Sequence, residues 1–142
     1  MQKLHQIVII DDDELSGVIN ELLIRKYECA EKIIVFDDPH NAIEYFSALK
    51  DRAMHESVKF PELVLTDFNM PGMNGFEVIQ SIRNLNLPQD VQYCILSASI
   101  DRMEPVILQK HHVLRQLIKP LEKKEFMEVL KILNEAVAHN QY

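Results

Sequence analysis

LVLTDFNMPGMNG, residues 63–75, is the stretch on which the fold turns. Residues 63–65 read as a short buried strand that ends in Thr66 and Asp67. From Met70 and Pro71 to Gly75 the chain specifies a tight loop: proline presets its own φ, and glycine admits conformations closed to other residues. The whole chain holds three glycines, and two of them, Gly72 and Gly75, lie here. An ordinary strand-to-helix turn does not need that much specification. Beyond the loop, Phe76, Ile79 and Ile82 recur at helical spacing.

Outward from this unit the same alternation continues. Residues 7–10 are an apolar run, followed by Leu15, Val18, Ile19, Leu22 and Leu23, spaced as one face of a helix. A second strand at residues 33–36 precedes Asp38 and Pro39, an N-cap with proline at the first helical position. Ala42, Phe46, Leu49 and Ala53 mark the inner face of that helix. Residues 93–96 are the fourth strand, with Met103, Val106 and Ile107 on the next helix. Residues 113–118 make the fifth strand, and Phe126, Val129, Leu130, Leu133 and Val137 stripe the last helix. The tail, residues 139–142, is expected to fray. Five strand-helix units with nearly continuous apolar strands imply an α/β fold, a parallel sheet covered on both faces.

The chain has 142 residues, enough for one domain with a real core, and a formal net charge of −7. No segment clusters Lys and Arg, which disfavours direct nucleic-acid binding. No apolar run approaches the roughly 20 residues that span a bilayer, and the first apolar stretch runs straight into four acids, unlike a signal peptide. Cys29 and Cys94 have neither metal-ligand nor framework spacing, so a reducing cytoplasm is expected.

In open α/β sheets, ligands bind beyond the carboxyl ends of the strands. Strand one ends in Asp11, Asp12 and Asp13, followed by Glu14; strand three ends in Thr66 and Asp67; strand four ends in Ser97 and Ala98; strand five ends in Lys119 and Pro120. Clustered carboxylates raise one another's pKa or attract a cation, and an all-oxygen site suits Mg2+. Lys119 adds a point charge for a phosphoryl oxygen and Ser97 a hydrogen-bond donor. An aspartate can act as a nucleophile that forms an acyl phosphate. Taken singly these residues have duller readings. Asp13 and Glu14 fit a helix N-terminus better than a metal, a lone serine is most often a cap or turn residue, and His111 and His112 read as plain loop. The ordered combination at four strand ends is what points to a site.

This combination resembles the receiver domains of bacterial response regulators, in particular single-domain members such as the chemotaxis regulator. The resemblance rests on the paired acids Asp11 and Asp12, the Asp-x-x-Met-Pro-Gly-x-x-Gly loop from Asp67 to Gly75, Ser97 with Ala98, and Lys119 with Pro120. It implies a flavodoxin-like three-layer sandwich, with five strands in the order 2-1-3-4-5 and five helices. It implies Asp67 as phosphoacceptor, forming 4-aspartylphosphate, with a phosphohistidine of a sensor histidine kinase or histidine phosphotransfer protein as donor. Mg2+ would be held by Asp12, Asp67 and the backbone carbonyl of Asn69, and by Asp11 through water. Ser97 would bond the phosphoryl group, Lys119 would pair with one of its oxygens, and the peptide before Pro120 would be cis. Asn69 and Ser99, small and polar at the family's lifetime-tuning positions, imply neither extreme lability nor unusual persistence of the acyl phosphate. One position departs from the pattern: Gln116 stands where many receivers carry an inward-turning Tyr or Phe.

On this reading residues 1–142 form a single receiver domain with no output domain. It would catalyse only its own phosphorylation and dephosphorylation and signal to an unidentified downstream protein. Alternatives are a non-phosphorylated interaction module on the same fold and a receiver fragment of a hybrid histidine kinase. A metabolite phosphatase with an aspartate nucleophile is disfavoured, since Asn69 stands where the second acid would be needed. A dinucleotide or flavin site is disfavoured by acids where the first turn would be glycine-rich.

Overall fold

Strand and helix alternate five times. The computed structural model of the chain describes residues 3–140, with side chains through Glu135. In order the elements are β1 (Leu4–Ile10), α1 (Glu14–Lys26), β2 (Ala30–Phe36), α2 (Pro39–Ala53), β3 (Leu63–Asp67), α3 (Gly75–Arg83), β4 (Gln92–Ser97), α4 (Pro105–Lys110), β5 (Arg115–Ile118) and α5 (Lys123–Asn140). The sheet runs β2-β1-β3-β4-β5 with every pairing parallel, as expected.

Alternating strand residues supply two cores, because successive side chains point to opposite faces. Ile7 and Ile9, Leu63 and Leu65, Cys94 and Leu96, and Leu117 pack with Ile24 of α1 and Phe126, Val129, Leu130 and Leu133 of α5. On the other face Val8, Ile10, Val64 and Ile95 pack with Ala42, Phe46 and Leu49 of α2 and Val78, Ile79 and Ile82 of α3. Helix starts are locally specified. Asp38 caps α2 with Pro39 just inside, and Asn74 and Glu77 form a reciprocal capping box on α3.

The apolar stripe read on α1 lies mostly on its outer face. Leu15, Val18, Ile19 and Leu22 are 68%, 45%, 41% and 62% exposed, and of the five only Leu23 packs against the core. The buried stripe is Gly17, Asn20 and Ile24. A Cβ on Gly17 would sit 3.0 Å from Val35 Cγ1, so the helix lies close to β2 and a larger inner residue there would make Val35 give way. Inner packing is set by size, and the apolar stripe is left outside.

Other differences are smaller. β5 begins at Arg115 instead of 113, because His112 takes a left-handed turn (φ 60°) and delays pairing. Met103 lies ahead of α4: Pro105 is the first helical residue, and Glu104 before it is held extended. Val106 and Ile107 are exposed, and α4 buries no residue. Of the tail expected to fray, His139 and Asn140 continue α5, where no glycine or proline stops the helix, while Gln141 and Tyr142 lie outside the described residues. The side chain of Val137 lies outside them too.

Ile24→Ala should therefore lower stability by about 2–5 kcal/mol, whereas Leu22→Lys on the outer stripe should stay within about 0.5 kcal/mol of the parent, both read from urea unfolding.

Candidate functional site

Parallel register brings four strand ends level. Ile10 pairs with Thr66, Asp67 with Leu96, and Ser97 with Ile118. Asp11, Asp67, Ser97 and Lys119, at or one step beyond these ends, therefore meet on one rim. Carboxylate oxygens of Asp11, Asp12 and Asp67 all lie within 4.8 Å of one another. Lys119 Nζ stands between two of them, 2.7 Å from Asp11 Oδ2 and 3.2 Å from Asp67 Oδ1. The backbone N–H of Lys119 donates to the Ser97 carbonyl at 2.8 Å, which ties the two residues together, and the Lys119-Pro120 peptide is cis.

The three acids are not equivalent. Asp11 is fully buried, and both its oxygens are committed. Oδ2 accepts from Ser16 Oγ at 2.7 Å as well as from Lys119, and Oδ1 accepts from the Asp13 N–H at 3.0 Å. Asp12 is exposed, and neither of its oxygens takes a protein hydrogen bond among the described residues. Asp13 turns away to cap α1, accepting from the N–H groups of Leu15 and Ser16. Asp67 is buried, and burial pushes its carboxyl pKa above the ordinary value; the Lys119 charge opposes this, and the Asp11 and Asp12 charges reinforce it. Burial would lower the Lys119 pKa, but the hydrogen bond to Asp11 and the charges of Asp11 and Asp67 outweigh it, so the net direction is upward.

Three carboxylates around one point, with a single ammonium for compensation, fit a hard divalent cation. Asp12 and Asp67 have oxygens to offer directly. Asp11, with both oxygens occupied, fits contact through an intervening water better than direct ligation. The backbone of the Asp67 loop runs beside them. The Phe68 N–H donates to the Leu96 carbonyl at 3.0 Å and the Gly75 N–H to the Phe68 carbonyl at 2.9 Å, which closes the loop. A Cβ on Gly75 would lie 3.0 Å from the Asp67 carbonyl and 2.6 Å from Ile95 Cδ1, so only glycine fits without displacement. Asn69 is exposed within this loop.

Ser97 is buried, and its Oγ accepts from the Ser99 N–H at 3.1 Å, so the hydroxyl proton stays available for an incoming oxygen. Ala98 beside it is exposed. Ser16, which fixes Asp11, was not foreseen from the sequence. Its signal is the spacing from Asp11 that sets it over the first turn of α1. Gln116 is buried on the edge strand, and His111 stacks flat on Phe76, with ring centroids 4.0 Å apart.

A family profile described as the response regulator receiver domain matches residues 7–131. Two-component response regulator ARR5 of Arabidopsis thaliana is 26% identical to this chain, over 90% of it and 78% of its own length. A response regulatory protein of Staphylococcus epidermidis is 33% identical, over 89% of this chain and 45% of its own. The chain thus spans about half the length of some relatives it matches, such as regulator ORR1 of Oryza sativa, at 54%. Among solved structures, a two-component response regulator from Cytophaga hutchinsonii superposes with a TM-score of 0.78 at 24% identity, covering 94% of this chain and 99% of its own. The receiver domain of the Arabidopsis histidine kinase CKI1, solved with Mg2+ and BeF3-, gives 0.79 at 18% identity, covering 92% and 90%.

The raised pKa of Asp67 means that the folded chain keeps this proton at pH values where the unfolded chain has released it. Its contribution to stability is full below the ordinary carboxylate pKa and is lost as pH rises through the raised value. For Lys119 the contribution is full below the ordinary lysine pKa and lost as pH climbs through its own raised one. Thermal unfolding in chelator should show Asp67→Asn more stable than the parent at neutral pH by roughly 1 kcal/mol, a few degrees in Tm, with the difference shrinking as the pH is lowered.

Proposed function

Because the chain belongs to the response regulator receiver domain family, we propose that it takes a phosphoryl group onto Asp67 from a phosphohistidine of a sensor histidine kinase or histidine phosphotransfer protein. The observation that carries this reading is the placement of Lys119 Nζ between Asp11 and Asp67 at the rim, with Asp12 beside them.

An Asp67 carboxylate oxygen attacks phosphorus in line. The new P–O bond forms as the P–N bond to the donor histidine breaks, and the bond's electron pair leaves on the imidazole nitrogen. Lys119 neutralises charge on the phosphoryl oxygens, and the Ser97 hydroxyl donates to one of them. Mg2+, held by Asp12, Asp67 and the Asn69 carbonyl and by Asp11 through water, would supply further neutralisation of the transferring group. Asp11, fixed by Ser16, keeps Lys119 in place throughout. The acyl phosphate then hydrolyses, is passed onward, or changes the affinity for a downstream protein. In this reading the chain acts on no other substrate and works in the cytoplasm. Among the described residues no helix is long and apolar enough to cross a membrane.

The outer stripe of α1 suits the donor. Leu15 and Ile19 line a largely apolar cleft with Lys119 and Pro120, beside the site, and Val18 and Leu22 extend the exposed surface. A helical phosphodonor seated there would bring its imidazole to Asp67 without crossing the sheet.

Incubation with acetyl phosphate and Mg2+, followed by intact-mass analysis, should give one phosphoryl adduct on the parent and none on Asp67→Ala or in chelator. Lys119→Ala should retain the acceptor but form the adduct roughly 10²-fold more slowly. An adduct that survives in Asp67→Ala would place the chemistry elsewhere.

A further inference from the structure

The segment between β4 and α4 is held in an unusual way. α4 buries no residue, and its N-cap Glu104 makes no side-chain cap bond, so something else must fix the residues before it. That something is Gln116. Its side chain is buried on the edge strand β5, and a buried amide must be satisfied at both ends. Oε1 accepts from the Met103 N–H at 2.7 Å, and Nε2 donates to the Asp101 carbonyl at 3.1 Å. These two backbone groups flank Arg102. The Arg102 guanidinium returns to the Gln116 carbonyl at 2.8 Å and reaches Glu125 of α5 at 2.7 Å.

From the other side, the Ser97 Oγ accepts from the Ser99 N–H, and the Ser99 Oγ accepts from the Asp101 N–H, each at 3.1 Å. The bonds form one unbroken path: Ser97, Ser99, Asp101, Gln116, then Arg102 and Glu125. It begins at the hydroxyl that would turn toward a phosphoryl group on Asp67 and ends on a different helix.

We infer that Gln116 is a positioning residue that couples Ser97 to α5 through this polar path, in the place where an aromatic side chain would otherwise swing. The inference rests on the receiver reading of Asp67. If Ser97 Oγ moves toward a phosphoryl oxygen, the Ser99 N–H loses its acceptor. Asp101 is bonded both to Ser99 and to Gln116, so the displacement passes to the clamp, and Arg102 carries it to Glu125. A rotating aromatic ring needs an empty pocket to enter; a doubly bonded amide needs only a change of partners.

The test is backbone amide NMR of the full chain with Mg2+, before and after BeF3-, a phosphoryl mimic. In the parent, resonances of Asp67, Ser97, Ser99, Asp101, Met103, Gln116 and Glu125 should all shift. In Gln116→Leu, shifts at Asp67 and Ser97 should persist, while those at Asp101, Met103 and Glu125 should shrink at least roughly threefold. Arg102→Ala, an exposed change that spares the core, should keep the response of Ser99 to Met103 and lose that of Glu125. Undiminished Glu125 shifts in either variant would overturn the relay. So would a parent response that stops at Ser99 while Asp67 responds normally. No response at Asp67 in the parent would instead sink the receiver reading itself.

Discussion

Lys119 Nζ sits within hydrogen-bond reach of two buried carboxylates, and much of the molecule's design follows from that contact. Like charges at about 4 Å repel by roughly 4 kcal/mol at an effective dielectric near 20. Asp11, Asp12 and Asp67 can share one rim only because a cation stands among them. The ammonium in turn stays charged while half-buried because Asp11 accepts from it and is itself held by Ser16 and the Asp13 N–H. An ion pair this enclosed is weak evidence of stability. It is better understood as a standing excess of negative charge of the kind that a divalent cation relieves.

The contact depends on topology rather than on local sequence. Lys119 and Asp11 are 108 positions apart and meet because every strand in the sheet is parallel and in register at its C-terminal end. The Asp67 loop closes on Gly75 by an approach that a side chain there could not share without displacing Ile95 and the loop backbone. The rim groups therefore sit on rigid elements, while the β4–α4 segment, beside the same site, is tied mainly by side-chain amide and guanidinium bonds.

The strand ends were legible in the sequence, because a parallel α/β sheet sends all of them to one rim regardless of packing detail. Asp11, Asp12, Asp67, Ser97 and Lys119 could be picked out from position alone. The inward side of α1 could not. Periodicity reveals that a helix has an apolar stripe, but not that Gly17 brings the opposite stripe within contact of Val35. The same blindness hid Ser16. Gln116 was visible as a departure from the family pattern, yet its partners are backbone groups of a loop, which carry no sequence signature. The start of α4 was misplaced for a simpler reason: Met103 has the right spacing, but Pro105 decides where the helix can begin.

Leu15, Val18, Ile19 and Leu22 are exposed and contribute little to the core, so the fold places almost no selective pressure on their identity. After a gene duplication, the two copies could exchange these residues freely without losing the ability to fold or the rim chemistry. Recognition in this scaffold can drift while the chemistry stands still.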